Sequence, residues 1–210
     1  MGAVSKSAVR AIRAFGARPT EPEERCELCG ALLPALHSHL AEVGAGGTRK
    51  MVCACEPCGI LFSGTGLKYR RVPREVTELR DFVLGDEVWD SFRVPINLAF
   101  FYLNSKSGRV VAVFPGPAGA TEAMVPEEPW EELSRANPVL RELEPDVEAL
   151  LVNRVGETRH YARVPIDECF RLSGILRRHW RGMSGGTAVW REIGKFYEAL
   201  RVRSGESARD

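Results

Sequence analysis

Alternating apolar and polar positions in the middle of the chain predict an antiparallel sheet. The strongest hairpin joins two aromatic and β-branched segments across Asn104-Ser-Lys-Ser-Gly108, and a second hairpin turns at Val155-Gly156. Short strands are expected before and between these hairpins. The predicted strands are 69–72, 96–103, 109–114, 123–125, 146–153 and 158–164.

Apolar residues at helical spacing predict two amphipathic helices in the last third of the chain. The first follows Pro165 with Asp167 as its expected N-cap, and its apolar face includes Cys169, which we expect in the core rather than as a nucleophile. The second begins near Thr187. Shorter helices are predicted at 86–92, with Trp89 buried, and at 129–135, before Asn137-Pro138. The predicted fold is therefore α+β, an antiparallel sheet packed with C-terminal helices.

A small β module is predicted ahead of this body, from strands 36–43 and 50–54 joined by a glycine-rich turn. A symmetric turn at Ala45-Gly46 places His39 opposite Val52, with the histidines on the other sheet face from Cys53. A slip of one residue reverses that placement. The expected organisation is a tail at 1–23 that is flexible or a short amphipathic helix, a four-cysteine ribbon at 24–66, an α+β domain at 67–203 and a flexible tail at 204–210.

Two Cys-x-x-Cys-Gly knuckles flank the small hairpin, at Cys26-Glu-Leu-Cys29-Gly30 and Cys55-Glu-Pro-Cys58-Gly59. A glycine after the second cysteine permits a tight turn and a close approach of backbone amides to sulfur. The spacing predicts one metal ion bound by four thiolates, in a zinc-ribbon-like or rubredoxin-like module. Zn²⁺ is the first expectation, and Fe²⁺/Fe³⁺ is the alternative because the same ligand set binds both. The predicted ligands are Cys26, Cys29, Cys55 and Cys58.

Three further residues near the knuckles are candidates for metal chemistry. Cys53 is expected to be a small buried residue, with a role as a substitute ligand left open. His37 and His39 are expected at the surface or beside the ligands, with mixed ligation or a second metal as the alternative.

The glycine-rich loop after the first long helix is a candidate partner-binding or anion-binding site. Such a loop can present amides to an anion at the start of the next helix, although two helices joined by a tight turn need glycine as well. The candidate residues are Arg178, Arg181, Ser184, Gly185 and Gly186.

Composition and motif content argue against several functional classes. With 29 basic and 28 acidic residues the formal charge is +1, so no general attraction to nucleic acid follows. The longest apolar run, 96–103, is far shorter than a membrane span, and knuckle-spaced cysteines suit a reducing, cytoplasmic compartment. No paired-carboxylate, Ser-His-Asp, P-loop or dinucleotide motif is present, which favours a binding protein over an enzyme.

Several segments together resemble an uncharacterised bacterial family, found in actinobacteria and commonly encoded beside uptake [NiFe] hydrogenases. The resemblance covers about residues 24–203, and its segments are 26–29, 53–58, 98–101, 117–122, 144–154 and 179–186. It implies an accessory role around a hydrogenase and hydrogenase subunits as protein partners. The expected function is a metal-binding partner or assembly factor with a structural four-cysteine site. The alternative is an electron-transfer protein with a mononuclear iron centre.

Overall fold

The computed structural model describes residues 23–43, 51–116, 119–181 and 186–207. The chain folds as α+β with two antiparallel sheets and several helices. The strands are β1 Ser38–Glu42, β2 Met51–Ala54, β3 Tyr69–Arg71, β4 Thr77–Glu78, β5 Leu98–Asn104, β6 Arg109–Gly116, β7 Gly119–Met124, β8 Glu148–Asn153 and β9 His160–Pro165. The helices are α1 Glu56–Leu61, α2 Asp86–Ser91, α3 Glu127–Ala136, a 3-10 helix Pro138–Glu142, α4 Ile166–His179 and α5 Gly186–Ser207.

The larger sheet has six strands in the order β4-β9-β8-β5-β6-β7. Both predicted hairpins are confirmed, since β5 pairs with β6 and β8 pairs with β9. Alternate residues of β5 enter two different cores: Phe100 packs on the α4 and α5 side, and Phe101 packs on the α2 and α3 side. Because both faces are covered, the central strands are apolar on both sides.

Helix α4 begins one residue earlier than the expected N-cap. Pro165 occupies the cap position in an extended conformation, so the prediction of Asp167 as the N-cap was wrong. Asp167 lies in the first turn, where one carboxylate oxygen accepts the backbone N–H of Glu168. Its other oxygen is therefore available for a contact outside the helix. Cys169 is fully buried in the core, as predicted.

The smaller sheet has the order β2-β1-β3, so the strand at 69–71 completes this sheet rather than the larger one. The predicted register was wrong by one residue, because His39 lies opposite Cys53 and Leu40 lies opposite Val52. The observed register puts Leu40, Val52 and Ala54 together in one buried cluster. A slip of one residue would have separated these apolar side chains.

We call the smaller sheet and its two knuckles the cysteine module, described residues 23–43 and 51–71. One face of its sheet has a core of its own, and the other face packs on the body of the protein. Ala41 on that second face belongs to the core under α4 and α5. Arg70 reaches the carbonyl of Pro145 at 3.4 Å. Among the described residues, none of the helices is long and apolar enough for a membrane span.

Candidate metal centre

The first knuckle is a tight loop held by backbone hydrogen bonds. Gly30 donates its N–H to the carbonyl of Cys26 at 2.8 Å and has φ of +77°, a value that favours glycine. The loop is tied to strand β2 because Glu27 donates its N–H to the carbonyl of Cys53 at 2.9 Å. These bonds fix Cys26 and Cys29 beside the end of the small hairpin.

The second knuckle reaches a similar arrangement through a helix. Cys55 is the N-cap residue of α1, and Gly59 donates its N–H to the carbonyl of Cys55 at 2.8 Å. Gly59 has no positive φ, so its role differs from that of Gly30. A Cβ atom added at Gly59 would lie 3.0 Å from Cβ of Ser38, so glycine here permits close packing of α1 on β1.

The two knuckles bring the four predicted ligands together. All four Sγ atoms of Cys26, Cys29, Cys55 and Cys58 lie within 4.8 Å of one another. The sulfurs of Cys29 and Cys55 are 3.6 Å apart. A tetrahedral zinc with Zn–S bonds of about 2.3 Å has sulfurs about 3.8 Å apart, so the group fits one four-coordinate ion after small adjustments.

Burial and backbone amides act differently on these thiols. Burial raises the pKa of Cys26, but the backbone N–H groups of Cys55, Cys29 and Leu28 outweigh it and lower the value to about 6. Burial raises the pKa of Cys58 to about 12, and the neighbouring cysteine side chains add to this effect. Four thiolates so close together repel one another, so their joint ionisation needs a bound cation.

The core of the cysteine module is small and includes two of the candidate ligands. Its buried residues are Cys26, Leu40, Val52, Ala54 and Cys58. Few other apolar side chains contribute to the stability of this unit. Its fold is thus expected to depend on whatever joins the four sulfurs.

Cys53, His37 and His39 form a separate group on the other face of the small sheet. Cys53 Sγ and a nitrogen of each ring lie within 4.8 Å of one another. The expectation that the histidines face away from Cys53 was wrong, because the observed register pairs His39 with Cys53 directly. Cys53 is half-buried, and burial raises the pKa of its thiol, with nearby Glu27 and Glu24 adding to the shift.

Sequence reasoning missed the carboxylates around this group. His39 Nδ1 lies 2.6 Å from Oδ2 of Asp167, which is 128 residues away in the chain. This hydrogen bond is the largest cause of a raised pKa of His39, opposed by burial. Glu24 approaches His37 Nδ1 at 3.7 Å. No local pattern indicated the pairing with Asp167, because only the packing of α4 on the small sheet creates it.

The predicted anion site around the glycine-rich loop stays a prediction. Arg178 and Arg181 are exposed, and Arg181 Nη1 donates to the carbonyl of Trp180 at 2.8 Å. Gly186 is the first residue of α5 and has φ of +72°. Ser184 and Gly185 lie outside the described residues.

A cavity of about 290 Å³ lies between strands β8 and β9 and helix α5. His160 Nδ1 and the Tyr197 hydroxyl are buried there, without hydrogen-bond partners among the described residues. Burial lowers the pKa of His160 and raises that of Tyr197 well above its usual value. The helical pattern placed Tyr197 on the core face of α5 and gave no sign of the cavity.

Comparison of the chain with known protein families, curated proteins and solved structures identifies a family whose function is unknown. A family model described as "Family of unknown function (DUF5947)" matches residues 25–204. No curated protein and no solved structure matches the chain.

Proposed function

We propose a function from the site itself, because the chain belongs to a family of unknown function, DUF5947. In this proposal the protein is a metal-binding accessory protein. Its four-cysteine site holds one structural Zn²⁺ in a zinc-ribbon-like module, and this module presents a surface to a protein partner. The observation that carries the proposal is the convergence of Cys26, Cys29, Cys55 and Cys58 from two separate knuckles.

A structural role is supported by the position of the sulfurs. Cys26 and Cys58 are buried at the centre of the small core, and the two knuckles contribute four potential ligands with no place left for a substrate. Closed sites of this kind stabilise small folds, whereas catalytic zinc sites keep a coordination position open. Thiolate ligands also favour a reducing compartment, and we propose the cytoplasm.

A protein partner is supported by exposed apolar side chains on the cysteine module. Among the described residues, six of the ten exposed large hydrophobic side chains belong to this module. They are Leu32, Leu36, Ile60, Leu61, Phe62 and Leu67. Exposed apolar groups in such density commonly mark protein interaction sites. The family resemblance makes hydrogenase subunits the first partners to test.

A second candidate function is electron transfer by a rubredoxin-like iron centre at the same sulfurs. Cys29 is exposed, which would give an electron a short path to solvent or to a docked protein. Backbone N–H groups reach the sulfur of Cys26, an arrangement that stabilises thiolate charge in iron and zinc sites alike. Four thiolate ligands can bind either zinc or iron, so the identity of the ligands does not decide between these two metals.

Elemental analysis and a visible spectrum of the tag-free full chain separate the two functions. At least one equivalent of zinc without colour supports the structural site, and about one equivalent of iron with a reducible thiolate spectrum supports electron transfer. Cys29→Ser should lower the metal content at this site, whereas Cys169→Ser, a cysteine of the body core, should leave it unchanged. Full metal content in Cys29→Ser would overturn the assignment.

The partner proposal needs its own measurement. Zinc-loaded protein is titrated against purified hydrogenase subunits by calorimetry, with Ile60→Ser as the test variant and Val202→Ser as the exposed control on α5. Weaker binding by Ile60→Ser alone supports docking through the cysteine module. Absence of binding to any subunit rejects hydrogenase as the partner and leaves the metal assignment intact.

A further inference from the structure

We propose that His37, His39 and Cys53 form a second metal site, distinct from the four-cysteine centre. It would bind a divalent transition metal such as Zn²⁺ through three protein ligands, with a fourth position open to a neighbouring cleft. Imidazole and thiolate together suit zinc and related metals of this series.

The small sheet places the three side chains on one face. His37 directly precedes β1, His39 is the second residue of that strand, and Cys53 is the cross-strand partner of His39. The two imidazole centroids are 4.9 Å apart with an interplanar angle of 78°. One nitrogen of each ring and the sulfur of Cys53 lie within 4.8 Å of one another, and ligands of a tetrahedral zinc lie about 3.3–3.8 Å apart, so side-chain rotations are needed to close the site.

The hydrogen bonds of the two rings prepare the same nitrogen in each for a metal. The carbonyl of Pro34 lies 3.1 Å from Nδ1 of His37, and the carboxylate of Asp167 lies 2.6 Å from Nδ1 of His39. Both oxygens can only accept, so in the neutral form of each ring Nδ1 carries the proton and Nε2 presents its lone pair to a metal. A metal-bound histidine in proteins usually has this arrangement, with its other ring N–H held by a carbonyl or a carboxylate.

His37 supplies an independent sign of a missing ligand. Its side chain is only 7% exposed. Its Nε2 atom is buried and has no hydrogen-bond partner among the described residues. A buried polar atom without a partner destabilises the folded state, and a metal bound at this nitrogen removes that cost.

Carboxylates surround the three ligands and offset the charge of a cation. Asp167 contacts His39, and Glu24 lies 3.7 Å from Nδ1 of His37. Glu27 accepts the backbone N–H of Cys53 at 2.8 Å. Each ligand thus has an acidic residue next to it, contributed by the first knuckle, by the segment just before it or by α4.

A cleft of about 500 Å³ beside the histidines gives the metal a way in. It is lined by both histidines and by residues of α4 and α5, among them Asp167, Glu168 and Arg203. A three-ligand site that borders a cleft leaves a position for water or for an exogenous ligand, as catalytic zinc sites do. The four-cysteine site is closed, so the two sites differ in their chemistry.

Cobalt titration of the tag-free full chain, stripped of metal under reducing conditions, tests the proposal. Co²⁺ gives different visible spectra in a four-sulfur site and in a site with two nitrogens and one sulfur. The wild-type chain should bind two equivalents, one with each spectrum. Cys53→Ser and His39→Gln should weaken the second site by about 100-fold or more, which exceeds the roughly 10–100-fold cost of losing an outer-shell partner.

Matched variants separate this result from a loss of fold. Cys169→Ser and His179→Gln remove a cysteine and a histidine elsewhere in the chain and should leave both spectra intact. The four-sulfur spectrum of each test variant reports whether the cysteine module has folded, and Cys29→Ser should lose that spectrum first. The proposal is overturned when the wild-type chain shows no mixed nitrogen–sulfur spectrum, or when both test variants retain it at unchanged affinity.

Discussion

Substitution of Cys58 by serine tests the proposal that a metal ion holds the cysteine module together. Cys58 is buried in the small core of the cysteine module. Apart from the cysteines, the buried residues of this core are Leu40, Val52 and Ala54. Burial of Leu and Val is worth about 1.5–3 kcal/mol each, or roughly 3–6 kcal/mol together. A structural zinc contributes about 10–16 kcal/mol in zinc-finger peptides, so a zinc ion bound at the four cysteines would be the larger stabilising contribution. Its loss should open the module while the body stays folded.

Hydrogen exchange read by mass spectrometry measures this opening segment by segment. In Cys58→Ser the amides of Glu27, Gly30 and Gly59, which are hydrogen-bonded within the knuckles, should lose protection by about 1,000-fold, or ~4 kcal/mol. Strands β5 and β8 lie at the centre of the larger sheet and should exchange as in the wild-type chain.

The control is Cys169→Ser, a cysteine in the body core under α4 and α5. Its effect should fall on the larger sheet and leave the knuckle amides protected. Chelation of the wild-type chain should reproduce the pattern of Cys58→Ser. Unchanged protection at the knuckles of metal-free Cys58→Ser would refute the reasoning, because the small core would then be sufficient without an ion.

Three further predictions concern stability and are measured by denaturant unfolding. Gly30→Ala should destabilise the cysteine module by about 1–2 kcal/mol because of its positive φ, whereas Gly174→Ala on the exposed side of α4 should stabilise the chain by about 0.5–1 kcal/mol. A loss of stability in both glycine variants would contradict this prediction. Phe100→Ala should cost about 3–5 kcal/mol and Phe62→Ala less than about 1 kcal/mol, in keeping with their burial. Tyr197→Phe should be neutral or stabilising by about 1 kcal/mol at neutral pH, because the buried hydroxyl has no partner among the described residues. Burial raises the folded-state pKa of Tyr197 above 10, so the wild-type chain should lose stability as the pH rises past 10, and the variant should lose less.

Local sequence patterns predicted most of the secondary structure. The apolar alternation of β5, β6, β8 and β9 and the helical spacing of α4 and α5 are strong signals, because both arise from residues a few positions apart. Knuckle spacing likewise identified the four cysteines that converge. The role of Gly59 was less accessible, because its packing against Ser38 depends on how α1 lies over β1.

The proposed second metal site shows how far local sequence patterns can predict a site. His37, His39 and Cys53 were visible as candidates, but their common face depended on a register that the turn residues alone did not fix. Packing of Leu40 against Val52 selected the register. The same limit applies to Asp167, whose contact with His39 spans 128 residues.

The sequence by itself identified the residues that could bind a metal and most of the segments that form strands or helices, because spacing and periodicity are properties of neighbouring positions. The tertiary structure decided which of those residues meet. Burial of apolar side chains set the strand register, and the docking of the cysteine module on the body brought Asp167 to His39. Both results depend on long-range packing, which minimises exposed apolar surface over the whole chain and leaves no local pattern.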